Sequence, residues 1–167
     1  MTFAGYIGAG LVTSGCAGLG ISMALSLKKR LKLLSSIVAA IDYIQAEISY
    51  GLTPLPELLN GLAGRDAALR DLWNAVAGAW KPGESFSNVW TDKVSELDLK
   101  ESDRLTFGEI GTILGRYDAD RQVSRLAFIK KRLELSLAEA REELKKNGKL
   151  FCVLGIACGL AAAILLI

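Results

Sequence analysis

Every charged side chain of this sequence lies between Lys28 and Lys149. Two uncharged stretches flank that window, Phe3 to Leu27 and Leu150 to Ile167. As helices rising about 1.5 Å per residue they would measure roughly 37 Å and roughly 27 Å, against a bilayer core of about 30 Å. Both read as transmembrane helices, the second only just long enough. A buried C-terminal core helix is the other reading of the second stretch. Such a helix normally keeps a polar face, and Ala161 to Ile167 have none. For the first stretch the rival is a cleaved signal peptide, which carries positive charge ahead of its apolar run. Here Met1 and Thr2 precede the run, Lys28, Lys29, Arg30 and Lys32 follow it, and Ser22-Met23-Ala24 only weakly imitates a cleavage site.

Lys145, Lys146 and Lys149 stand just before the second stretch. Basic flanks stay in the cytoplasm. The expected organisation is a span over 3–27, a cytosolic domain over 28–149 and a span over 150–167, with both termini extracytoplasmic. Cys16, Cys152 and Cys158 fall inside the spans, so no disulfide framework or zinc site is expected in the cytosolic part. The sequence has no histidine, which removes the common metal ligand and the common general base at neutral pH.

The cytosolic part reads as helix throughout, and the fold class expected is all-α, a bundle of about six helices. Leu34, Ile37, Val38, Ile41, Ile44 and Ile48 recur at three- and four-residue steps on one helix face. That helix should continue out of the first span and stop at Gly51, where Thr53 can cap a short helix over 54–63 with Pro54 in its first turn. Gly64 ends it. Asp66 can cap the next helix, which carries Trp73 and Trp80 seven residues apart, and Pro82-Gly83 breaks that one. A fourth helix runs from Ser85 to about Leu97. Asp98 with Glu101 resembles a capping box for a fifth, ending near Gly115. Asp118 can cap a long sixth helix, whose stripe of Leu126, Ile129, Leu133, Leu137, Ala140 and Leu144 leads into the second span.

Charge is uneven along this domain. Asp42 to Glu109 hold 12 acidic and 6 basic residues, whereas Arg116 to Lys149 hold 10 basic and 6 acidic. The basic end suits anionic lipid headgroups, and the acidic middle faces the cytoplasm as a surface for partners.

Chemistry is expected to be absent. No phosphate-binding Gly-x-x-x-x-Gly-Lys loop, dinucleotide glycine spacing, Gly-x-Ser-x-Gly elbow or His-Glu-x-x-His pair occurs. Carboxylate pairs such as Glu142 with Glu143 are common on helix surfaces. No enzyme activity, cofactor, metal or nucleic-acid partner is expected.

Small residues remain to be explained. Gly10, Ser14, Gly18, Ser22 and Ser26 recur every four residues in the first span, and Gly155, Gly159 and Ala163 repeat the spacing in the second. Such stripes let helix backbones approach closely, against each other or a partner. Gly108, Gly111 and Gly115 share a side of the fifth helix, where glycine costs about 1 kcal/mol relative to alanine, so a close crossing is expected at Gly108 and Gly111. Gly115 is also a candidate C-cap. Tyr43, Glu47 and Tyr50 form a second stripe on the first helix. It is either a solvated flank with packed tyrosine rings or a polar anchor, with Glu47 tied to an arginine or to backbone donors.

Glu47-Ile48-Ser49-Tyr50-Gly51-Leu52-Thr53-Pro54-Leu55, followed by Phe107-Gly108-Glu109-Ile110-Gly111-Thr112-Ile113-Leu114-Gly115-Arg116-Tyr117-Asp118 and Gln122, resembles the stage III sporulation protein AB family. The resemblance covers essentially the whole chain. It implies a part of the channel between mother cell and forespore, in the mother-cell membrane around the forespore. It also implies a cytosolic domain similar to the platform proteins of type II secretion and type IV pilus systems. Such platforms sit beside a hexameric secretion-type ATPase, here the sporulation protein AA, and couple its motion to assembly outside. They usually carry two copies of the domain and three spans. This chain has one copy and two spans, which implies self-association or a different arrangement with other membrane components of the channel. Residues 51–55 with Glu57 and Asp66 are then the expected ATPase-docking surface. The alternative is a small membrane-anchored adaptor or sensor, although the chain exposes almost nothing outside with which to sense.

Overall fold

The structure is a computed structural model whose backbone is described over residues 3–51, 53–81, 83–115 and 118–166. For residues 3–14, 16–17, 19–20, 51, 148–149, 151–152, 154–156, 158–160 and 162–166 only the helical backbone is described. Helix α1 runs from Phe3 to Ala46 and ends in a π-helical turn, Glu47–Gly51. Then follow α2 (Leu55–Arg65), α3 (Arg70–Ala79), α4 (Phe86–Ser95), α5 (Glu101–Gly108), α6 (Ile110–Ile113) and α7 (Ala119–Leu166). No strand occurs among the described residues.

The chain divides into two units. One comprises Lys32–Ala138, the other the first 31 residues with those from Glu139 onward. In the first unit Leu34, Ile37, Ile41 and Ile44 of α1 are fully buried, as are Leu126, Ile129 and Leu133 of α7. Gln45 donates to the Val123 carbonyl at 3.0 Å, and Lys130 pairs with Asp42, so polar bonds flank the α1 and α7 stripes. Helix α2 packs on α3, α3 on α4, and α4 on α5 and α6. Their centre is aromatic. Trp90 stacks on Trp73 at 5.3 Å and on Phe86 at 5.9 Å, while Phe107 meets Trp90 edge-on at 5.0 Å. The Trp90 indole N–H donates to the Phe107 carbonyl at 3.2 Å.

Several local expectations are corrected. The fifth helix does not reach Gly115 unbroken; it divides at Glu109 into α5 and α6. There the Thr112 N–H and hydroxyl both turn to the Glu109 carbonyl, at 3.0 and 2.7 Å, tightening the chain out of α-helical register. Asp98 is not the N-cap of the fifth helix: the helix starts after Lys100, which makes no side-chain cap bond. Thr53 is not the cap of α2; Pro54 holds that position without a side-chain bond. Asp66 caps a tight turn instead of α3, accepting the Ala68 N–H at 2.7 Å. Trp80 lies just past the end of α3 as its C-cap, meets Phe86 edge-on at 6.0 Å and donates to the Glu84 carbonyl at 3.2 Å.

Among the described residues, a Cβ built on Gly108 or Gly18 would meet nothing within 4 Å, so no close contact is seen there at either glycine. Ser22 is exposed, and the Ser26 hydroxyl returns to its own helix at the Met23 carbonyl. The packing expected at Gly10, Ser14, Gly155 and Gly159 lies outside the described residues. Among the described residues no helix is long and apolar enough to cross a membrane. In the second unit Arg30, expected beside lipid headgroups, is buried and donates to the Glu143 carboxylate at 2.9 Å.

Candidate partner-docking groove

Two segments far apart in sequence meet at one groove. Ile48 comes from the π-helical turn, Thr53 from the segment that follows, and Leu55 and Leu58 from α2. Leu114 and Gly115 follow the end of α6, and Ala119 and Gln122 lie in the first turn of α7. Together they line a groove of about 260 Å³. Gly115 adopts φ 75°, a left-handed conformation that suits glycine, and its N–H donates to the Gln122 side-chain oxygen at 3.3 Å. The Gln122 N–H in turn reaches the Asp118 carbonyl at 3.0 Å. Gly115 and Gln122 thus fix the sharp entry into α7, which forms one wall.

The opposite wall is held by Glu47. Its carboxylate accepts the Thr53 hydroxyl and the Tyr43 hydroxyl, and Arg65 adds a favourable field. Those bonds, with Thr53 the strongest influence, hold its pKa below the ordinary carboxylate value. The Arg65 guanidinium lies 3.9 Å over the Tyr43 ring, a cation–π contact. Glu47 is therefore a polar anchor; of the partners expected for it, an arginine or backbone donors, Arg65 contributes through its field, while two hydroxyls make the bonds. A π-helical turn is a rare form that often marks functional sites.

A group with a depressed folded pKa stabilises the fold above its unfolded pKa, near pH 4 for a glutamate (about 4.3), and that stability is lost as pH falls through the lower folded value. Glu47→Gln should therefore lower the melting temperature at neutral pH and flatten its fall below about pH 4. Asp66 has the same sign, its carboxylate bonded to the Ser36 hydroxyl and the Ala68 N–H, so Asp66→Asn is the companion variant. A melting profile of Glu47→Gln parallel to that of the parent from pH 3 to 7 would deny Glu47 this role.

The expected site residues separate into groups. Thr53, Leu55, Gly115 and Gln122 line the groove. Tyr50, 91% exposed, projects from the π-helical turn, of which Gly51 is the last residue. Pro54 and Glu57 are exposed at the start of α2, and Asp118, exposed, pairs with Arg121 at 3.6 Å. Asp66 does not belong here, because its bond to Ser36 of α1 commits it at the far end of α2. Gly111 is structural and lies beneath Trp90. Ile48 was expected only as part of the core stripe, and Leu58, Leu114 and Ala119 carry no polar signal that marks a site.

The family profile of stage III sporulation protein AB matches residues 5–167. The stage III sporulation protein AB of Bacillus subtilis (strain 168) is 28% identical over 166 residues, covering 96% of this chain and 97% of that protein. A solved structure of stage III sporulation protein AB superposes with a TM-score of 0.63 at 26% identity, over 70% of this chain and 96% of that one.

Proposed function

Because this chain belongs to the stage III sporulation protein AB family, we propose that it is a non-enzymatic platform of the channel between mother cell and forespore. It docks a hexameric secretion-type ATPase through the groove between the π-helical turn and α7. Convergence of the two motif segments, 47–55 and 107–122, on that groove carries this reading. The groove's lining is mostly apolar, with Thr53 and Gln122 as polar groups, and Tyr50, two residues after Ile48 in the π-helical turn, is exposed. Exposed tyrosines are common interaction anchors.

The full-length chain should bind a purified sporulation protein AA ATPase. Tyr50→Ala with Glu57→Lys should weaken that binding about tenfold or more, with the charge change acting mainly on the association rate and losing effect as salt is raised. Circular dichroism controls for folding, since both side chains are exposed. No binding by the folded chain would put the adaptor reading ahead.

The same proposal makes Phe3 to Leu27 and Leu150 to Ile167 membrane spans with the domain between them in the mother-cell cytosol. The uncharged stretches and their basic flanks support it. So do Ile21, Met23, Leu25, Leu150 and Val153, large apolar side chains that are all exposed in one unit. Single cysteines at positions 2 and 93 of a cysteine-free variant should label oppositely with an impermeant maleimide. Labelling of both from outside would reject this topology.

A further inference from the structure

Helix α7 has a second face that neither its core stripe nor the groove uses. Arg121, Arg125, Phe128, Arg132 and Leu135 follow one another at alternating steps of four and three residues, so they form one line along the helix. Phe128 is 65% exposed and Leu135 62%, as is Leu105 of α5 at 64%. Leu105 lies four residues before Glu109, whose carboxylate bonds Arg132 at 2.8 Å. Between α6 and α7 this surface sinks into a recess of about 360 Å³, where Thr112, Ile113 and Ser124 join Arg125 and Phe128 in the lining.

We propose that this stripe is the docking surface for a helix of a partner protein, one that carries carboxylates along an apolar seam. The apolar side chains call for an apolar seam on the partner, and the recess takes a side chain projecting from it. The three guanidinium groups that frame the stripe set the partner's charge. All three already have partners within the chain, Glu109 for Arg132 and Asp118 for Arg121 among them, but on exposed surface such pairs are worth at most about 1 kcal/mol. Each guanidinium also has five N–H donors to share with a second carboxylate. A second copy of this chain is the poorer occupant, because two such stripes in parallel set arginine against arginine. A bilayer is poorer too, since a lipid surface does not fill a recess between helices.

The test uses the full-length chain in phosphatidylcholine nanodiscs and two synthetic helical peptides. Both carry leucines at three- and four-residue spacing; glutamates flank them in one, lysines in the other. The glutamate peptide should bind and its lysine twin should not. Arg121→Glu with Arg125→Glu should weaken the glutamate peptide about tenfold or more and let the lysine twin bind. Phe128→Ser should weaken the glutamate peptide by a similar factor while circular dichroism stays unchanged. Binding of neither peptide, equal binding of both, or indifference to all three substitutions would overturn the proposal. Stripe-dependent dimerisation in sedimentation would assign the surface to a second copy. Stripe-dependent binding of phosphatidylglycerol vesicles would assign it to lipid.

Discussion

Replacing Gly111 with leucine should destabilise the helical domain by about 1–3 kcal/mol through overpacking. A Cβ at this position would lie 2.5 Å from the Trp90 Cδ1 and 2.8 Å from its Cβ and Cγ. These atoms belong to the root of the side chain, not to a flexible tip. The indole is further fixed by its bond to the Phe107 carbonyl and by stacking on Trp73 and Phe86. Helix propensity argues the other way, since alanine gains about 1 kcal/mol over glycine inside a helix. Steric conflict should outweigh that gain, so even Gly111→Ala should lower the melting temperature of the full-length chain. Gly108→Ala is the control: with nothing within 4 Å of the added carbon, propensity alone should act there. A melting temperature raised by alanine at position 111 would show that the indole yields and the glycine is incidental.

Trp90→Ala should cost about 3–5 kcal/mol, the range for truncating a buried large aromatic. Trp90 is fully buried, so the substitution opens a cavity at the centre of the aromatic cluster and removes the donor to Phe107. Against a typical stability of about 5–15 kcal/mol, that loss is large enough to shift the denaturant midpoint plainly. Trp90→Phe keeps an aromatic face in the cluster but loses the N–H, worth about 1 kcal/mol, together with the volume of one ring. Its cost should therefore fall below that of alanine and above that of the hydrogen bond alone. The two sites should also couple. Once Trp90 is truncated, an alanine at Gly111 has room, and its cost should shrink or change sign. Strict additivity in that double-mutant cycle would mean that Gly111 and Trp90 do not constrain each other as the geometry requires.

The helical period alone determined much of this protein. Ile37, Ile41 and Ile44 sit in the core where their spacing put them, and so do Leu126, Ile129 and Leu133. Periodicity reports which face of a helix is apolar, and burial of that face is the dominant local constraint. The glycine of a close helix crossing was legible too, but not which one. Gly108 and Gly111 look alike in sequence, and only the position of the Trp90 indole distinguishes them.

Caps were the least legible, because Asp66, Asp98 and Thr53 each have the chemistry of a cap and a choice of bonding partners. Thr53 turned to Glu47, and Asp66 to Ser36 and the Ala68 N–H; side-chain hydrogen bonds of similar strength compete, and tertiary neighbours choose among them. The groove itself was decided by tertiary structure alone. Its lining comes from Ile48 to Leu58 and from Leu114 to Gln122, segments that carry the family resemblance yet show no spacing that brings them together. What joins them is the burial of the α1 and α7 stripes, fastened by Gln45 to Val123 and by Lys130 to Asp42. Sequence pattern fixes each helix face separately, whereas the recess forms only after those faces have packed.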